Sequence, residues 1–425
     1  MPMNTAVHKL KVIFTDPVLR FRIFFILAAF TLFRLLAAIP IPGVDRIRLE
    51  EFFANNQFFG LLSVFSGGGF STLSLVMLGV GPYITASIIM QLATVIFPQV
   101  KKMYSEEGEA GRTKFIAWSR TLTIPLAILQ GVAFLSLLES QGILAPLPPF
   151  AFAVTVFIIT AGSMLLMWIG ELITEFGIGN GVSLIIFAGI VAGIPTGLSQ
   201  IAFTATTANI PAVIGFIALA LAAIYAVVLV SDSERSIPIA YARQVRGVAI
   251  QQGSATYLPI RLLQAGVMPI IFALSLLLLP QVALTGLQAI GIAGLDGVVA
   301  AYTAFSQNPW THGGVYFILV VMFTYFYTSI TFEPKRVSDN LQKSGAFIPG
   351  VRPGKETETY IGNVVNRVTL PGSLFLGLVA VIPFIVQGLT GITAILIGGT
   401  ALLIAVTVLL DLIRKIDAQA SLREY

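Results

Sequence analysis

The sequence predicts an all-α, multi-pass membrane protein, a bundle of ten transmembrane helices with one additional short helix that cannot span. Three observations carry this reading. Apolar stretches of 17 or more residues recur about ten times along the 425-residue chain, each long enough to cross about 30 Å of hydrocarbon as a helix. Hydrophobic residues make up 56% of the chain and charged residues 11%, against about a quarter charged in a soluble domain. The runs are continuous and lack the apolar/polar alternation of membrane-barrel strands.

In order, the spans read as 23–39, 73–97, 115–138, 150–170, 182–202, 210–230, 262–280, 315–332, 370–390 and 392–411. The first follows a 20-residue basic leader and runs too long for a signal-peptide core, so it reads as an uncleaved span. The Ala/Gly-rich segment 281–314 reads as an external loop rather than an eleventh span, because a further crossing would move the most basic loop to the other side. Lysine and arginine favour cytoplasmic loops. Four precede the first span, five lie in 98–120, four in 231–261, six in 333–369 and three in the tail, so 22 of 25 fall on one side. Both termini are therefore expected in the cytoplasm. Five spans precede residue 206 and five follow it, dividing the chain into halves 1–205 and 206–425. An odd number of spans starts the second half from the opposite face, which permits an inverted repeat.

The chain has no cysteine, which excludes disulfides, thiolate catalysis and zinc-thiolate sites. Arg34 is the charge well inside a span; its side chain either snorkels to the headgroups or hydrogen-bonds to a neighbouring helix. Glu171 reads as a cap on the cytoplasmic end of the fourth span. His8 and His312 fall in expected loops, leaving no histidine or carboxylate placed to relay protons across the bilayer. Two glycine-rich stretches imitate nucleotide loops. "GIGNG" at 177–181 lacks a preceding strand and reads as a tight connection, and "GVRPGKE" at 350–356 is one residue short and has Glu356 where a Ser or Thr is required. No cofactor or metal is expected, and energy from ATP would have to arrive through a partner.

Residues 58–97 are apolar but broken at Gly67, Gly68 and Gly69, each of which disfavours a helix by about 1 kcal/mol. The leading piece "FFGLLSVFS" is then a helix too short to span. It lies on the external surface or folds back into the bundle, where protein or water must shield its backbone. The segments 231–261 and 333–369 carry Arg235, Arg243, Arg246, Lys335, Arg336, Lys343, Arg352 and Lys355. Positive-inside bias and contact with anionic lipid account for such charge. A docking surface for an acidic or RNA-bearing cytoplasmic partner is the alternative, favoured by turn residues such as Pro238, Gly253, Pro349, Gly350, Pro353 and Gly354. From these features alone an inverted-repeat secondary transporter leads a passive channel narrowly, and an intramembrane enzyme lacks a visible nucleophile.

Long strings in fixed order change that balance: "FRLLAAIPIPGVD", "FSGGGFSTLSLVMLGVGPYITASIIMQL", "GEAGRTK", "LMWIGELITEFGIGNGVSLIIFAGIVAGIP", "AGVMPIIFA" and "DNLQKSGAFIPGVRPGKETETYI". Through them the chain closely resembles, essentially end to end, the SecY family, the central subunits of the bacterial protein-conducting channel. The resemblance implies two inverted five-helix halves around an hourglass pore. It also implies a passive conduit, not an enzyme, that passes unfolded secretory polypeptide and releases hydrophobic segments sideways into lipid.

Carried over by position, the resemblance puts a pore ring at Val80, Ile84, Ile186, Ile271 and Ile404. Such branched side chains close around an extended peptide without specific hydrogen bonds and repel water when narrow. A re-entrant plug helix would comprise Leu61, Leu62, Val64, Phe65, Gly67, Gly68, Gly69 and Phe70. A side opening would lie between the second and third and the seventh and eighth spans, with Ser87 and Gln130 as polar candidates. One departure stands out: Leu263 occupies a position where the family pattern has asparagine. Gln264 beside it would point about 100° away on a helix. Implied partners are SecE, SecG, the motor ATPase SecA, the ribosome and membrane lipid, with Arg243, Arg246, Lys335, Arg336, Arg352 and Lys355 as the cytoplasmic docking residues. Arg352 matches a family arginine important for motor action. The implied location is the bacterial cytoplasmic membrane.

Overall fold

A computed structural model describes residues 16–41, 49, 72–105, 107–140, 142–204, 210–241, 245–246, 249–250, 256–266, 268–289, 296–390 and 394–421. The described chain is predominantly helical. Its helices are α1 (Pro17–Ala37), α2 (Gly81–Ile96), α3 (Pro98–Ser105), α4 (Gly108–Ser140), α5 (Pro149–Phe176), α6 (Gly181–Thr204), α7 (Ile210–Asp232), α8 (Met268–Ala289), α9 (Asp296–Gln307), α10 (Pro309–Thr331), α11 (Pro334–Lys343), α12 (Lys355–Thr390) and α13 (Ala394–Ser421). Short strands β1 (Glu234–Tyr241), β2 (Val245–Arg246), β3 (Ala249–Ile250), β4 (Thr256–Arg261) and β5 (Ala346–Phe347) complete it.

Each predicted span has a helix. By length and apolar composition, four helical runs among the described residues qualify to cross a membrane: Gly108–Glu139, Pro149–Phe176, Pro309–Lys343 and Lys355–Leu389. The pair α2 and α3, bent by 112°, makes a fifth. Helix α1, at 21 residues, is also long enough for about 30 Å. Prolines sit where helices start: Pro17, Pro82 and Pro149 each occupy a first-turn position, where the missing N–H costs nothing. Asp16 caps α1 by accepting from the Val18 N–H at 2.8 Å. Several hydroxyls inside the spans are satisfied locally, as when Thr123 donates to the Ser119 carbonyl and Thr160 to that of Val156, both at 2.8 Å. Such bonding is what apolar surroundings demand of a polar group.

Several boundaries differ from expectation. The helix of the seventh span, α8, begins at Met268, not 262, so Leu263 and Gln264 lie in a turn before it rather than on a helix face. The geometry expected of adjacent helical positions does not apply to them. The helix of the fourth span, α5, runs on to Phe176, so Glu171 is inside it instead of at its end. His312 belongs to the first turn of α10 and is buried, not in a loop. Within 281–314, α8 continues to Ala289 and α9 is a 12-residue helix, too short to cross a bilayer. The helix of the ninth span, α12, begins in polar sequence at Lys355, well before the apolar part.

The chain forms two compact units. One comprises 1–216, 274–312 and 383–425. Here α4 packs on α2, α3 and α5, and α6 packs on α5 and α13. Its core includes Leu73, Met77, Leu78, Phe134, Leu135, Leu138 and Ile159. The α5–α6 connection is tight: a Cβ on Gly181 would stand 1.8 Å from the Gly170 carbonyl oxygen, a backbone approach open only to small residues. Asn180 caps α6 by accepting from the Ser183 N–H at 3.1 Å. "GIGNG" is thus a helix–helix turn.

The other unit comprises 217–273 and 313–382. Its three-stranded antiparallel sheet has the order β4-β1-β5, with Glu234 opposite Arg261 and Ala240 opposite Phe347. Alternation along β1 puts Ile237 and Ile239 inward, as a half-buried strand requires. Ile237, Ile260, Ile348, Ile361 and Val365 form a small core between the sheet and the start of α12. The two long basic segments therefore fold together.

Candidate pore, gate and docking surface

The ring candidates start from an irregular stretch. Residues 72–80 form turns, tied to the end of α1 by an isolated bridge between Pro40 and Ser74 and by the Ile41 N–H donating to the Leu73 carbonyl at 2.8 Å. Non-helical backbone at membrane depth survives only where protein covers it. Here α5 covers it: a Cβ on Gly162 would lie 2.2 Å from the Leu75 carbonyl oxygen. This stretch delivers Val80 to the N-terminus of α2, and the Ile84 N–H donates to the Val80 carbonyl at 3.0 Å. Val80 and Ile84 are thus one turn apart, and both are buried. Ile186 on α6 and Ile404 on α13 are also buried, on two helices packed together. These four share the first unit. Ile271, on α8 in the second unit, is 1% exposed. Its neighbour Phe272 meets the rings of Phe323 and Tyr327 on α10 at 6.1 and 5.9 Å.

The expected plug residues Leu61, Leu62, Val64, Phe65, Gly67, Gly68, Gly69 and Phe70 lie outside the described residues, as does His8. Among the gate candidates, Ser87 and Gln130 are half-buried on the packed helices α2 and α4. Ser87 accepts from Gln91 Nε2 at 3.2 Å, and Gln91 Oε1 is buried with no partner among the described residues. Sequence reading missed Gln91; the spacing of Ser and Gln four apart on an apolar helix is the signal that points to it. Leu263 is buried, its Cδ2 3.4 Å from where a Cβ on Gly372 of α12 would stand. The Oε1 of Gln264 is buried and also has no partner among the described residues.

A second missed feature is an ion pair. Arg120 Nε on α4 donates to Glu171 Oε1 on α5 at 2.6 Å. The sequence separates them by 51 residues, and charge in each span end reads as ordinary flanking polarity.

Lys335, Arg336, Arg352 and Lys355 are all exposed. Arg336 pairs with Glu333 at 2.6 Å. Backbone around Arg352 is fixed: Thr357 Oγ1 donates to the Arg352 carbonyl, and Ser338 Oγ to that of Gly354, both at 2.8 Å. Arg243 lies outside the described residues, and Arg246 sits in β2.

A bundle of long apolar helices, with buried irregular backbone leading into aliphatic positions, defines a multi-pass membrane protein. Residues 74–413 match the SecY family model. The Protein translocase subunit SecY of Mycobacterium bovis is 41% identical over 96% of each chain, and that of Thermus thermophilus 42% identical over 96% of this chain and 94% of its own. A solved structure concerning the plug domain of SecY, which stabilises the closed translocation channel and maintains a membrane seal, superposes with a TM-score of 0.68. It covers 95% of this chain and 93% of its own at 21% identity. The chain belongs to the SecY family. It is a protein translocase subunit with the fold of a protein-conducting channel, not an enzyme.

Proposed function

We propose that this chain forms the conduit through which unfolded secretory polypeptides cross the membrane, and that hydrophobic segments leave it sideways into lipid. Halves 1–205 and 206–425 form an inverted repeat, and Val80, Ile84, Ile186, Ile271 and Ile404 close the pore. The plug, at about 58–72, seats against that ring. What carries this reading is the largely buried segment 73–80, which interrupts the path into α2 and leaves two aliphatic side chains, Val80 at 1% and Ile84 at 5% exposure, at the head of the helix. A narrow apolar constriction excludes water and ions while yielding to a passing chain. Leu263 and Gln264, with Ser87 and Gln130, flank the side opening, and Leu263 contributes apolar packing where an amide would contribute a polar latch.

The ordered basic surface around Arg352 supports docking by SecA and the ribosome, and the exposed apolar flank of α1 (Phe21, Phe24, Leu35) suits lipid or the small subunits SecE and SecG. The compartment is the bacterial cytoplasmic membrane, with both termini cytoplasmic. The test is photocrosslinking of a stalled secretory chain to a probe at Ile186 or Ile271. Crosslinks from both positions are expected, and their absence at both, with crosslinks only from lipid-facing controls such as Phe157, would overturn the assignment.

A further inference from the structure

Helix α8 carries Pro280 in its interior. Proline offers no N–H, and its ring pushes the preceding turn open, so the carbonyls one turn back lose helical partners. The carbonyl left without its helical donor is that of Leu276, and the next one, that of Leu277, belongs to a buried residue in the turn that the ring distorts. The structure supplies a donor from another element: Tyr302 Oη on α9 donates to the Leu277 carbonyl at 2.5 Å. Burial pushes the Tyr302 phenol above its ordinary pKa, so it stays protonated, and a donor, through the neutral range.

Helix α9 is itself fastened. The Tyr302 ring lies 5.8 Å from Phe305, Phe305 lies 5.8 Å from His312, and His312 lies 5.2 Å from Phe384 of α12. Asn308 holds the α9–α10 corner, its Oδ1 accepting from the Trp310 N–H at 3.1 Å and its carbonyl from the His312 N–H at 3.0 Å. Trp310 lies flush on α12, 3.0 Å from where a Cβ on Gly388 would stand. The hydroxyl that meets the break in α8 is therefore presented from an anchored platform.

We propose that Tyr302 is a positioning residue: through the Leu277 carbonyl it holds the turn of α8 just before Pro280, and so sets how readily the seventh span bends at the proline when the channel opens. The link to opening rests on the channel reading above, whereas the hold on α8 does not. Tyr302→Phe removes the hydroxyl and keeps the ring. In the intact channel complex in nanodiscs, amide hydrogen exchange across 277–289 should quicken by about fivefold, the factor expected for one neutral hydrogen bond. In a Pro280→Ala background, which restores the N–H facing the Leu276 carbonyl and lets the turn around Leu277 close as regular helix, the same substitution should change exchange by less than about twofold, a non-additivity that only coupled groups show. Unchanged exchange in Tyr302→Phe, or equal acceleration in both backgrounds, overturns the proposal. Lateral insertion of segments of graded hydrophobicity is the functional arm, and Tyr302→Phe should shift the threshold. A moved exchange rate with an unmoved threshold refutes the role in opening. A wild-type complex that inserts nothing would sink the channel reading and leave the exchange result standing.

Discussion

Replacing Gly162 with alanine tests how the irregular backbone ahead of α2 is held. The added Cβ would stand 2.2 Å from the Leu75 carbonyl oxygen, 3.0 Å from its carbon and 3.3 Å from Val76 Cγ1. A carbon–oxygen contact settles at about 3.3 Å or more, so segment 72–80 or α5 must retreat by about 1 Å. The first atom met is backbone, which no rotamer change can move. Overpacking of this kind costs about 1–3 kcal/mol, while alanine in place of glycine in a helix returns about 0.5–1 kcal/mol. A net loss of up to about 2.5 kcal/mol follows, and the middle of that range lowers the folded population ratio by about eightfold. Gly215→Ala on α7 is the control, since a Cβ there has nothing within 4 Å. The assay is the fraction that stays monodisperse after heating in detergent. Gly162→Ala should fail first, and because 72–80 carries Val80, its surviving channels should leak ions. Heating curves for the two variants that coincide would refute the close approach.

Arg352→Glu should block motor-driven export into vesicles far more than Lys343→Glu at matched channel levels, because both make the same charge change and only the backbone at Arg352 is clamped by Thr357; equal losses would favour a diffuse basic surface. The Arg120–Glu171 pair has side chains 48% and 19% exposed, so a double-mutant cycle on heat stability should give a coupling of about 0.2–1 kcal/mol, with the charge-reversed double variant recovering most of what each single reversal loses. Zero coupling would mean that the two side chains do not hold α4 to α5.

Hydrophobic runs made the helices legible, and they did so for a physical reason: lipid admits only segments that satisfy their own backbone. What the runs hid were helix ends made of polar residues. The stretch from Lys355 to Asn366 is helical yet polar, so apolar content saw only the later part of α12. At the seventh span the reverse held. Leu262 to Ala265 are mostly apolar, but Gly266 at φ +58° and Pro269 in the first turn stop a helix from starting earlier. The aliphatic candidates Val80, Ile84, Ile186, Ile271 and Ile404 are indistinguishable from core residues by periodicity, and resemblance alone picked them out. Contacts set by distant sequence, such as Arg120 with Glu171 and Tyr302 with Leu277, leave no local pattern. They needed the packed chain.

The seal is the central claim, and planar-bilayer current measures it most directly. Ile186 and Ile404 sit on the packed helices α6 and α13 and are 1% and 0% exposed. Replacing both with serine would put hydroxyls into the constriction and wet it. At matched channel number and with no translocating chain, the Ile186→Ser, Ile404→Ser double variant should carry a resting ion current well above wild type. A serine pair at two buried positions assigned no pore role, Ile159 and Leu166 of α5, should not. Resting currents equal to wild type in the Ile186 and Ile404 variant would contradict the account.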